Sequence, residues 1–531
     1  MDINHRKLAA YAWLSQASYR ALDNLSGNQV RAFIEKLTTV NDDGFSPGNV
    51  FTQQQADSLT DSAIGYSFVN QYPNDAAGFS ATVFRSNENG SYTIAVRGTE
   101  PTRWNPSDLL VADLEIGLLG KAREQTIAAY RYYKQLTTVP GQSVSYTTQE
   151  KLLLAGLYTG SFAPILTSAA YLAVSFLVAG DVGLGVGDIP MIPHGSTINF
   201  TGHSLGGHVA TLLAQLVAKS GIGDTGEIFT YNAPGTGGIV AELLSWCGID
   251  GSDPTMAAKI INIVADGGIS ITATLGSKPG ANQDIVIEKE LNPITNHLIF
   301  KLSDSLALQE TLAKLDPSLS TATLNRLFKS VSNIPESSFE RALNPALRLF
   351  DITALLEIGG SRDAFYQAMG VLSDRVSTAG ISNPYKLVSF SDMDANSVAV
   401  AALADTASGL AYRYALATMS PYAVLNFDYA PFSQQELALY NEETGEGALS
   451  KEYLTDKALY LSWQLAFNQA DRDYSANGRD LLQRAFNAGW WYDEHFAQTT
   501  RDLYTAGEDG KDVARKGGIR QRLSRRFPDR W

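Results

Sequence analysis

The chain has a single cysteine, Cys247, in 531 residues. An intramolecular disulfide is therefore excluded, and with it any zinc site built on cysteines. A reducing cytosol fits that scarcity, but bacterial exported proteins also share it. Positive charge is in short supply too: 41 Lys and Arg face 55 Asp and Glu, a net charge of −14. No nucleic-acid partner is expected, because neutralising phosphates needs a basic surface. The N-terminus, MDINHRKLAAYAWLSQASYR, lacks a sustained apolar run after its basic residues. It reads as an amphipathic helix and not as a cleaved signal peptide, so a cytoplasmic location and export by a signal-peptide-independent route both stay open. With 44% hydrophobic and 18% charged residues the composition is that of a folded protein, and the length suggests roughly two to four domains.

Against these absences stands one dense signal. In STINFTGHSLGGHVATLLAQLVAK (196–219) an apolar, strand-favouring run enters Gly202-His203-Ser204-Leu205-Gly206, and a helix-period run follows at once. Strand, glycine-flanked serine and helix is the setting in which G-x-S-x-G makes a nucleophile elbow. The pattern alone is weak, since Gly44-Phe45-Ser46-Pro47-Gly48 also satisfies it. That copy fails chemically. The residue after the nucleophile must donate its N–H to an oxyanion, and Pro47 has none.

Around the elbow, ATVFRS and SYTIAVRG alternate with period two and are joined by Asn87-Glu88-Asn89-Gly90, a hairpin signal. Residues 121–137 form a helix, and EIFTYNAPG (227–235) and KIINIVADGG (259–268) read as strands ending in turns. Strands alternating with helices predict an α/β domain with a mixed sheet. From about residue 303 the pattern becomes one of successive helices, with an Ala-rich helix predicted over 395–425 and another over 448–470. The expected division is a catalytic domain over 1–305, carrying an apolar insertion at 140–195, and a mostly helical region over 306–531. The basic tail at 511–531 reads as solvated, with contact to anionic lipid or a partner as the alternative.

No charged residue occurs from Leu152 to Gly180. Three readings stay open for this stretch: a buried helical hairpin, a lid docking on lipid interfaces, or a transmembrane helix, which Pro164 and the internal glycines disfavour.

An acyl-transfer serine needs a base and a carboxylate that holds the base's tautomer. Of six histidines, His203 is expected to point to the other side of the elbow. His208 is expected to serve packing or capping, and His5 and His194 lie outside the expected site. That leaves His297, in a loop before an apolar run, and His495. The order Ser, acid, His favours Asp266, at a strand end, with His297. Asp250, Asp253 and Asp284 are alternative acids placed in polar loops. For the oxyanion hole, the backbone N–H of Leu205 and of Thr99, at the strand end Arg97-Gly98-Thr99, are the expected donors.

VRGT (96–99) with Asp113, INFTGHSLGGHVATLLA (198–214), TYNAPG (230–235), NIVADGG (262–268) and the histidine of TNHLIF together resemble the fungal-type (class 3) lipase family. The resemblance covers roughly residues 60 to 305. It implies an α/β-hydrolase fold, Ser204 as nucleophile, Asp266 and His297 as triad partners, and Thr99 with Leu205 as oxyanion hole. Three departures accompany it: Asp266 is followed by Gly-Gly-Ile, the 140–195 segment is longer than the family's connection, and the family's lid would fall near 101–120. AALADTASGLAYRYALATMSPYAVL (401–425) resembles regions that accompany lipase-like domains in bacterial exported proteins with repeats-in-toxin tails. The glycine-rich calcium repeats of such tails are absent, so no calcium is expected. Asp471-x-Asp473-x-Ser475 lacks an EF-hand's glycine and closing Glu. The expected function is a cofactor-independent lipid ester hydrolase, with 152–180 as a candidate lipid contact. An A-type phospholipase and a non-catalytic membrane-acting protein on a hydrolase scaffold are the alternatives.

Overall fold

The computed structural model describes residues 4–22, 25, 29–40, 49–75, 78–98, 111–147, 150, 151, 154, 157, 187, 192–220, 224–235, 254–266, 278–290, 293–331, 339–350, 356, 360–378, 384–432 and 434–472. Most described residues from Arg6 to Leu306 form one compact unit, and those from Ala307 onwards belong to a second.

A seven-stranded sheet organises the first unit. Its strands are β1 (Tyr66–Tyr72), β2 (Ala81–Ser86), β3 (Tyr92–Val96), β4 (Thr197–His203), β5 (Asp224–Tyr231), β6 (Ile260–Asp266) and β7 (Ala281–Val286), in that spatial order. The first three pair antiparallel, and β3 through β7 run parallel. This is the mixed sheet with flanking helices expected of an α/β-hydrolase. The turn at Asn87–Gly90 closes the β2–β3 hairpin, with Gly90 at φ 73. Two strands were not legible: β1 carried no strand expectation, and β7 holds Asp284, assigned above to a loop. Both are polar strands (YSFVNQY and ANQDIV) with weak alternation, and sheet pairing overrides such propensities.

The parallel strand β4 is buried from Ile198 to His203, as befits a strand covered on both faces. On one face Ile198 and Phe200 join Val209 and Leu213 of the following helix, Leu205–Ser220, in the main core. The N-terminal helix, His5–Ala17, packs through Tyr11, whose ring stacks on Phe229 at 4.3 Å between centroids. Thr201 Oγ1 donates to the Tyr11 carbonyl at 3.3 Å and Tyr231 Oη to the Leu8 carbonyl at 2.7 Å. Every residue from Leu8 to Ala17 except Ala10 is buried, so this helix is enclosed nearly all round and is not the amphipathic helix expected.

The helix Val111–Thr137 starts earlier than the period suggested. Near its end Lys134 Nζ lies 2.9 Å from Glu150 Oε1, both side chains at most 10% exposed. Burial pushes the Glu150 carboxyl up. Hydrogen bonds from Tyr130 Oη, Lys134 Nζ and the Thr147 N–H outweigh that and hold it below the usual carboxylate range. The pair anchors the start of the apolar stretch, of which only Leu154 and Leu157 are described, both buried in the main core. The rest of 152–180 lies outside the described residues. Among the described residues no helix is long and apolar enough to cross a membrane. Lys134→Ala would leave a carboxylate buried without its cation, at a cost of about 3–5 kcal/mol. Urea unfolding followed by circular dichroism checks this; a loss below about 1 kcal/mol would show the pair to be effectively solvated.

The second unit is mostly helical, with Thr321–Val331, Glu340–Leu349, Arg362–Thr378 and Lys451–Arg472 among its helices. The single Ala-rich helix expected over 395–425 is in fact two, Ala395–Leu403 and Ala407–Ala417, followed by a strand, β9 (Tyr422–Leu425), paired antiparallel with β8 (Lys386–Ser389). Asp394 and Thr406 each cap a helix by accepting a backbone N–H three residues on. Such caps mark two starts where composition suggests one.

Candidate active site

Because β3 to β7 are parallel, their carboxyl ends share one edge, where α/β sheets bind ligands. Ser204 stands at that edge after β4, with φ 56. This left-handed conformation costs a non-glycine residue about 1–2 kcal/mol and persists only when its surroundings impose it. They do so here. The Ser204 N–H donates to the Tyr231 carbonyl at 2.9 Å, and the Ser204 carbonyl accepts from Gly207 N–H at 3.0 Å as the helix begins. A Cβ at Gly202 would collide with the Gly206 carbonyl, and one at Gly206 with the Val96 carbonyl. The glycines on either side are therefore obligatory, and the turn is a true elbow.

Leu205 is the first residue of the helix, so its N–H has no acceptor within the helix. Thr99 lies outside the described residues. Its neighbour Gly98 is described: a Cβ there would fall 3.2 Å from Ser204 Cβ, which sets the end of β3 beside the serine.

His297 Nε2 is 3.0 Å from Ser204 Oγ. The histidine ends a short helix, Pro293–His297, and does not lie in a loop as expected. Burial pushes its pKa down to about 4, so near neutrality the ring is an uncharged acceptor for the serine proton. Its Nδ1 is buried and makes no hydrogen bond. Asp266 closes β6 at the same sheet edge, two strands from β4, but no hydrogen bond joins it to His297 Nδ1. The sheet thus brings Ser204 and His297 together and places Asp266 on their edge without joining it to them. Asp284, mid-strand in β7, pairs with Val264. Asp250, Asp253, Ser46 and His495 lie outside the described residues.

Two side chains around His297 carried no assigned role in the sequence. Asn232, at φ 48 directly after β5, donates from Nδ2 to the His297 carbonyl at 3.1 Å and accepts the Ala265 N–H on Oδ1 at 2.9 Å. Its place in a strand-ending NAPG turn was the available signal. His203 does leave the elbow on the face away from Phe200. There it meets the His297 carbonyl, 2.7 Å from its Nε2, so it is part of the site and not turned away from it. His208 is buried, with Nδ1 3.1 Å from the Gly235 carbonyl, a packing role. His194 and His5 pair with the carbonyls of Thr137 and Leu319. Among the described residues no group of three His, Cys, Asp or Glu side chains could hold a metal ion.

Residues 191–247 match the family model Lipase (class 3). In structure the chain is similar to Lip2 lipase from Yarrowia lipolytica, at 15% identity over 53% of this chain and 78% of that one, with a TM-score of 0.25. It is also similar to a triacylglycerol lipase whose catalytic centre is a serine protease triad (16% identity, 53% and 79%, TM-score 0.23). M37 lipase is a third (15% identity, 58% and 90%, TM-score 0.25). Likenesses at these TM-scores carry no weight for the chemistry. No curated protein matches the chain.

Proposed function

We propose that this chain hydrolyses carboxylic ester bonds of lipids, with Ser204 as nucleophile and His297 as general base. The observation that carries the reading is the 3.0 Å approach of His297 Nε2 to Ser204 Oγ at a strained elbow. His297 takes the serine proton as Oγ attacks the ester carbonyl, and returns it to the leaving alcohol. Water then repeats the sequence on the acyl-enzyme. With Ser204 donating to Nε2, the His297 proton sits on Nδ1, where a buried donor without a partner costs about 1–3 kcal/mol. Asp266 is the proposed acceptor, closing on Nδ1 and stabilising the imidazolium. Its support is its position at the β6 end and Asn232, which ties Ala265 and the His297 carbonyl to one side chain. The N–H of Leu205 at the helix start and that of Thr99 beyond β3 are the proposed oxyanion donors. The chemistry calls for no cofactor.

Lipid is the proposed substrate class because 152–180 carries no charged residue, an apolar composition suited to long acyl chains. In this reading residues 1–305 form the catalytic domain and 306–531 a separate helical one. A panel of triolein emulsion, phosphatidylcholine vesicles and short p-nitrophenyl esters tests the proposal. Fatty-acid release from the emulsion is expected to exceed turnover of short esters. Release from phosphatidylcholine alone would make the chain an A-type phospholipase. Vesicle binding without any release would favour the membrane-acting scaffold and end the hydrolase reading.

A further inference from the structure

The hydrogen-bond pattern around His203 assigns its protons. Its Nε2 approaches the His297 carbonyl oxygen at 2.7 Å. A carbonyl only accepts, so Nε2 carries the hydrogen. Burial, reinforced by neighbouring His297, holds the His203 pKa well below its ordinary value and keeps the ring neutral. Its Nδ1 is then a bare acceptor, and Tyr19 Oη donates to it at 2.8 Å. The opposite tautomer would set a lone pair against the His297 carbonyl, so the carbonyl decides the tautomer and the tyrosine hydroxyl turns to donate. The second donor to that carbonyl, Asn232 Nδ2, has its amide orientation fixed by the Ala265 N–H on Oδ1. The His297 backbone is therefore held by two donors from two neighbouring strand ends, while its side chain faces Ser204.

We infer that Tyr19 and His203 are positioning residues for His297: the tyrosine hydroxyl donates to Nδ1 and fixes the ring in the Nε2–H tautomer that the His297 carbonyl requires, the Nε2–H anchors that carbonyl, and the anchor sets the His297 ring against Ser204 Oγ. The inference rests on the ester-hydrolase reading. It gives the enclosed N-terminal helix, which delivers Tyr19, a part in the reaction. Neither side chain hydrogen-bonds to Ser204 Oγ or His297 Nε2; Tyr19 acts through His203, which holds the His297 carbonyl and packs its ring 4.8 Å from the His297 ring, centroid to centroid. A misplacement of about 1 Å in a reacting group can cost on the order of a hundredfold in rate.

Tyr19→Phe in the full chain tests this. The kcat for p-nitrophenyl ester hydrolysis is expected to fall roughly 10- to 100-fold with KM changed by less than about twofold. Labelling of Ser204 by a p-nitrophenyl phosphonate, which reads nucleophile activation without acyl turnover, is expected to slow in parallel. A glutamine amide reaches about as far as Nε2 and has no tautomers. His203→Gln should therefore keep most of the rate, and Tyr19→Phe in that background should cost much less than in the parent. His203→Asn, too short to reach the carbonyl, should lose the rate. Nitrogen-15 NMR of histidine-labelled parent protein is expected to show His203 as the Nε2–H tautomer, a reading that needs no variant to fold. Tyr19→Phe retaining parental kcat and labelling rate, or an Nδ1–H tautomer in the parent, overturns the inference and leaves the hydrolase reading standing. A parent that neither turns over esters nor takes the label overturns both.

Discussion

Replacing Ser204 with alanine is expected to lower kcat for ester hydrolysis about a millionfold with KM little changed, because the nucleophile itself is removed. The fold should survive. Alanine in the left-handed region bears a backbone cost similar to serine's, and the contacts that impose the turn come from the backbone of Tyr231 and Gly207. His297→Ala is expected to lose nearly as much. The double variant should be no worse than either single one, since nucleophile and base act as one unit. Active-site titration with a fluorescent phosphonate distinguishes true loss from contaminating parent enzyme. A Ser204→Ala protein that releases fatty acid at the parental rate would show that the elbow is not the seat of catalysis.

The second large effect is expected at Asp266. Asp266→Asn should cost on the order of ten-thousandfold in kcat, as when a triad histidine is left in the wrong tautomer. It should also move the pH profile. The active base is neutral His297, so kcat/KM falls as pH drops through its pKa. Burial alone sets that value at about 4. A carboxylate on Nδ1 favours the imidazolium and raises it, so the parent's acid limb should lie above pH 4 and the variant's should shift down towards it. An unchanged limb and rate would move the acid role elsewhere. Asp284→Asn is the next variant to make, since Asp284 lies on β7, next to β6.

Much of the site was legible because its geometry is local. Gly202, Ser204 and Gly206 lie within five residues, and no side chain fits where the elbow turns back on itself. The carboxyl end of β6 was readable at Asp266 because an apolar run stops there. His203 and Asn232 were misread or passed over for one common reason. Their partners lie far along the chain: 94 residues separate His203 from His297, and 65 separate Asn232 from it. Strands β1 and β7 escaped notice because polar segments become strands only when a neighbouring strand offers its backbone.

By itself, then, the sequence determined the elbow, the hairpin before it, and the change to helices beyond about residue 303. Each of these follows from short-range sterics and hydrophobic period. Only the tertiary structure decided that His297 meets Ser204, that the N-terminal helix is enclosed against the sheet, and that Tyr19 reaches His203 across 184 residues. Such contacts depend on which elements the sheet order and core packing bring together. No periodicity in a single segment records that.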